Sequence, residues 1–131
     1  ISTRLVGSEM CIRDRIEVDD KGQVTFTLTP QEFHYNPLGT VHGGLAATML
    51  DSCNSISANC QLDKGYLTMT TDIRVNYFRP MTVSTGEVTA SAKIEKIGRR
   101  VIFVTGTLSD KDGKIYATAN STELIVEFPP K

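Results

Sequence analysis

Residues 36–60 read NPLGTVHGGLAATMLDSCNSISANC, and this run decides how the rest of the chain is read. It contains one formally charged residue, Asp51, in a chain that is 22% charged. A surface helix shows Lys, Glu or Arg to water, so a run this long and this neutral predicts a buried helix. After Thr40, a capping residue type, Leu45, Met49, Cys53, Ile56 and Cys60 follow at spacings of four, four, three and four, which is a helical stripe. Ala46, Ala47, Ser52, Ser55, Ser57 and Ala58 cover the other faces. Side chains this small let a second backbone approach, so those faces are expected against a strand or a partner subunit. Asp51 lies off the apolar stripe. A carboxylate buried in such a helix is costly unless it is hydrogen-bonded or neutralised, a cost commonly tolerated at reaction sites.

Outward from this helix the chain reads as strands. On the N-terminal side, 19–22 (DDKG) is a turn signal, and Val24, Phe26 and Leu28 alternate with polar residues as a half-buried strand requires. Pro30 stops that strand, and 31–39 reads as a loop with one helical turn. On the C-terminal side, Leu67, Met69, Thr71, Ile73, Val75 and Tyr77 form one face of a long strand with a two-residue period, ended by Arg79-Pro80. Val88, Ala90, Ala92 and Ile94 mark the next strand. Gly98 turns the chain into a strand over 101–109, and 110–113 (DKDG) turns it into a last one over 115–126. One helix and five strands, the last four joined by short turns, predict an α+β domain with an antiparallel sheet.

Composition bounds the function. The 131 residues, 40% of them hydrophobic, suit one domain. A net charge of −1 with no basic, aromatic-interleaved segment argues against nucleic acid as a partner. No apolar stretch approaches the roughly 20 residues that span a bilayer, and no leader opens the chain, so no membrane role and a cytoplasmic location are expected. Cys53 and Cys60 would stand roughly 10 Å apart on one helix, too far for a disulfide, and are expected as reduced core thiols. With His34 and His42 the only histidines and no CxxC, neither a metal nor a cofactor is expected. Residues 8–15 (SEMCIRDR) resemble translated sequencing adapter, so 1–15 is read as non-native or disordered and 16–131 as the domain.

The order of Asn36, His42-Gly43-Gly44 opening a neutral helix, Asp51 within it, and a long strand ending Asn76-Tyr77-Phe78-Arg79-Pro80 resembles the hotdog-fold acyl-CoA thioesterases. The resemblance is to their phenylacetyl-CoA-type (PaaI-like) branch, in the 4-hydroxybenzoyl-CoA thioesterase superfamily, and it covers roughly residues 16–126. It implies a hotdog fold, in which one long central helix is wrapped by a five-stranded antiparallel sheet. It also implies an acyl-CoA substrate, a homodimer with each active site between two subunits, and two dimers in a homotetramer.

The chemistry suits the residues. Thioester hydrolysis needs donors at the carbonyl oxygen and an anion that attacks or deprotonates water. A helix opening on glycine offers free N–H groups at a positive dipole end. By resemblance Gly43 is the oxyanion donor. Asn36 polarises the carbonyl or holds the acid or water, although Asn36-Pro37 also reads as a plain turn starter. Asp51 is nucleophile or general base. Thr70 orients water or carboxylate, or else simply faces solvent. His42 is expected to position the loop or thioester rather than to act as base, and His34 to be a surface loop residue. Arg79, Arg99 and Arg100 are candidates for CoA phosphates. Two other readings stand beside hydrolysis: a non-catalytic acyl-CoA-binding or sensing module, against which Asp51 argues, and a hydratase or dehydratase, which would need His42 as base.

Overall fold

The computed structural model describes residues 3–4 and 14–129. Among these residues a single long helix, α1 (Gly43–Asn59), lies against one curved antiparallel sheet. In chain order the strands are β1 (Thr3–Arg4), β2 (Asp14–Val18), β3 (Val24–Leu28), β4 (Tyr66–Tyr77), β5 (Val88–Ile97), β6 (Val101–Asp110) and β7 (Ile115–Glu127). Their order across the sheet is β1-β2-β3-β5-β6-β7-β4. The α+β class stands, with seven strands where five were expected. The addition is β1 and β2. Asp19 closes the β2–β3 hairpin by accepting the Lys21 and Gln23 N–H groups at 2.9 and 2.8 Å, and Gly22 supplies a φ of 79°. The domain start expected at residue 16 falls inside β2, and residues 5–13, Cys11 among them, lie outside the described residues.

Nor do the last four strands follow one another as hairpins. β4 pairs with β7, and the chain crosses over through residues 78–87 to lay β5 beside β3. β4 therefore closes one border of the sheet. Its two-residue period is broken by a bulge between Thr70 and Asp72. Before the bulge the helix-facing positions are Thr68 and Thr70, and after it Ile73, Val75 and Tyr77. Leu67 and Met69 are thereby turned outward, 39% and 61% exposed, instead of sharing a face with Ile73.

The core lies between helix and sheet. Leu45, Met49, Leu50 and Cys53 meet Val24, Phe26, Leu28, Val88, Ala90 and Leu108. Cys53 is a core thiol as expected, held near the Ala90 carbonyl at 3.5 Å, and burial pushes it up to about 12. Cys60 is not in the core: it is the exposed C-cap of α1. His34 is likewise corrected from surface to buried. It ends a 3-10 turn (Glu32–His34), its Nδ1 accepting the Gln31 N–H at 2.9 Å.

Candidate active site

Asp51 lies in the middle of α1, half-buried, and the β4 bulge delivers a hydroxyl to it. Thr70 Oγ1 donates to Asp51 Oδ1 at 2.8 Å, while Asp51 Oδ2 has no hydrogen bond among the described residues. Thr70 thus faces the helix and the acid. Behind this pair stand two residues that sequence reasoning missed. Ser55, one turn after Asp51, lies 3.0 Å from Thr70 Oγ1 and donates to Glu123 Oε2 at 3.0 Å. Glu123 sits opposite Thr70 in the β4–β7 register and is fully buried. The signal for it was present: on β7, Ala117, Ala119, Ser121 and Glu123 recur every second residue, so the face that packs small side chains on the helix also presents a carboxylate.

Gly43 is the first residue of α1, where a backbone N–H has no intrahelical partner. The residue capping the helix is His42, without a side-chain cap bond, and not Thr40. Tyr77 Oη donates to the Gly43 carbonyl at 2.7 Å, and a Cβ on residue 43 would stand 3.2 Å from the Tyr77 ring, a tight contact that the ring would have to yield to by a few tenths of an ångström. A groove of about 340 Å³ opens beside it, lined by His42, Gly43, Tyr77, Phe78, Arg79 and Tyr116 among others. His42 is exposed, and its backbone N–H is bonded to the His34 carbonyl at 2.9 Å.

Two expected partners stand apart from Asp51. The Asn36 side chain is folded into its own turn, Oδ1 accepting the Leu38 N–H at 2.9 Å and Nδ2 donating to Thr40 Oγ1 at 3.1 Å. Gly43 lies eight residues from Asp51, about 12 Å along the helix axis. Within one chain, then, the Gly43 N–H and the Asp51 carboxylate cannot both reach one carbonyl group. The arginines also separate. Arg79 borders the groove, its Nε donating to the Ile115 carbonyl at 3.0 Å. Arg99 and Arg100 lie in the β5–β6 turn, where the Arg100 carbonyl accepts the Ile125 N–H at 2.8 Å. Ile115 and Ile125 are ten residues apart on β7, about 33 Å.

Comparison with known proteins bears on the family and the fold. Residues 38–117 match the thioesterase superfamily. Acyl-coenzyme A thioesterase 13 of Mus musculus is 33% identical over 94 residues, which cover 71% of this chain and 66% of that protein, just under two thirds of its length. A phenylacetic acid degradation-related protein of Ralstonia eutropha is 27% identical with a TM-score of 0.79, covering 93% of this chain and 92% of that one. The BH2602 protein of Bacillus halodurans, solved with CoA, is 26% identical with a TM-score of 0.77, covering 86% and 73%.

Proposed function

The chain belongs to the thioesterase superfamily, and from that membership we propose that it hydrolyses the thioester of an acyl- or aryl-CoA to the free acid and CoA. The observation that carries the reading is Asp51, one oxygen fixed by Thr70 and the other without a hydrogen bond among the described residues, on the same half-buried carboxylate. That second oxygen attacks the carbonyl carbon or takes a proton from the water that does. The Gly43 N–H stabilises the oxyanion of the tetrahedral intermediate, whose collapse breaks the C–S bond and releases CoA, its thiolate taking up a proton; where Asp51 attacks directly, water then hydrolyses the acyl–Asp51 anhydride to the free acid. Asn36 holds the turn that leads to Gly43, and His42 positions the thioester at the groove.

The site is made between two subunits, Gly43 of one copy facing Asp51 of another. Support comes from the 12 Å or so between them in one chain, and from β4, a twelve-residue border strand with Leu67, Met69 and Tyr77 exposed on or beside it. A long apolar border strand invites pairing with a second copy. We place the protein in the PaaI-like branch, as a homotetramer of two such dimers, on the order of Asn36, His42-Gly43-Gly44, Asp51 and Thr70. An exposed free thiol at Cys60 accords with a reducing, cytoplasmic location.

Thiol release over a panel of acyl-CoAs tests the reading. The parent is expected to turn over at least one of them, and Asp51→Ala to lose about 10³-fold in kcat, with His42→Ala losing much less. CoA release that survives Asp51→Ala unchanged would sink the mechanism. Binding without turnover in the parent would favour a sensing module, and hydration of an enoyl-CoA abolished by His42→Ala a hydratase.

A further inference from the structure

Beneath Asp51 lies a second carboxylate, and the two share one hydroxyl. Glu123 is fully buried at the helix–sheet interface. One of its oxygens, Oε2, meets both Ser55 Oγ at 3.0 Å and Thr70 Oγ1 at 3.1 Å. Thr70 Oγ1 is at the same time 2.8 Å from Asp51 Oδ1 and 3.0 Å from Ser55 Oγ. A threonine hydroxyl has a single proton. Thr70 can therefore donate to Asp51 or to Glu123, but not to both.

The serine decides how this conflict resolves. While Asp51 carries its charge, the arrangement that serves both carboxylates has Thr70 donating to Asp51 and Ser55 donating to Glu123. Once Asp51 has taken a proton or bonded to the acyl carbon, it is a poorer acceptor. Thr70 is half-buried, and its hydroxyl left without an acceptor on the helix side costs free energy. With Glu123 in reach, the Thr70 hydroxyl can turn about its Cβ–Oγ1 bond to Oε2 with no heavy atom moving and no proton transferred. The geometry points to Glu123 as a positioning residue, the alternative acceptor that lets Thr70 follow the charge of Asp51 through the reaction. The inference rests on the hydrolase reading above. It extends that reading to a residue that never touches the substrate.

Kinetics on the full chain, with an acyl-CoA the parent turns over, test it through Glu123→Leu, Glu123→Gln, Thr70→Val and the Glu123→Leu/Thr70→Val double variant, each checked by thermal unfolding. Glu123→Leu is expected to lower kcat about tenfold with KM within about twofold, and to cost less than about twofold once Thr70 is already Val, because coupled residues are non-additive. Glu123→Gln, whose amide oxygen still accepts from Thr70, should keep most of kcat. Should Glu123→Leu fail to fold, Glu123→Met carries the same comparison. Additive losses in the double variant, a loss confined to KM, or a Glu123→Leu variant equal to the parent would overturn the inference while leaving Asp51 in place. A parent that turns over no acyl-CoA would instead sink the hydrolase reading itself.

Discussion

The entrance and the middle of α1 share one helix and are built from opposite materials. At the entrance the useful groups are backbone: a glycine N–H with no intrahelical partner, beside an exposed His42 and under the Tyr77 ring. In the middle they are side chains: Asp51 held by Thr70, with Ser55 and the buried Glu123 behind it. On the proposed hydrolysis, the entrance offers positive dipole to an oxygen that gains charge, and the middle offers a carboxylate to attack the carbonyl or activate water. The span of about 12 Å between them is too long for one carbonyl. The difference teaches that, for the proposed hydrolysis, each copy of the chain carries both halves of the chemistry at positions only a second copy could bring together.

Substitutions at the two regions sharpen this contrast. The largest effect after loss of Asp51 is expected from Gly43→Pro. Proline is accepted at the first position of a helix, and His42 already has φ −55° and ψ 133°, the extended conformation a following proline demands. The substitution deletes the N–H while keeping the helix start, and kcat should fall about 10²-fold. Gly43→Ala presses the same Cβ toward Tyr77 but keeps the N–H, so it should lose far less; equal losses would mean that the Tyr77 contact matters and the donor does not.

In the middle, Thr70→Val removes a hydrogen bond to a charged group and should cost about tenfold in kcat, with thermal stability close to the parent's. An unaltered kcat would detach Thr70 from the chemistry. The smallest effect on turnover belongs to Gly106→Ala, on the core side of the helix. The new Cβ would stand 2.5 Å from Asn54 Oδ1 and 3.1 Å from Leu50 Cδ2. Overpacking of this kind should lower stability by about 2 kcal/mol and leave kcat, measured well below the melting temperature, near the parent's.

Much of this was legible in the sequence, and its gaps have physical causes. A neutral run with a helical stripe announced α1, and alternation announced five of the seven strands, because burial on one face writes itself into side-chain period. β2 was missed because it is short and, among its described side chains, Ile16 at its centre is alone in being deeply buried. The inward turn of Thr70 was hidden by the bulge after it: one unpaired residue exchanges the faces of β4, and nothing in Thr70-Thr71-Asp72 marks where that happens. His34 read as a loop residue because its burial comes from a turn capped by its own ring, a contact with no periodic signature. Asn54 and Glu123 are fully buried polar residues in positions whose period foretold the face but not the depth.

The claim that the site is completed by a second subunit is tested most directly by complementation. Asp51→Asn and Gly43→Pro variants, each nearly inactive alone, are unfolded together, refolded as an equal mixture and assayed for thioester hydrolysis. If Gly43 of one chain works with Asp51 of another, each mixed dimer regains one intact site, and random pairing restores about a quarter of the parental activity. A mixture no more active than its components would contradict the account.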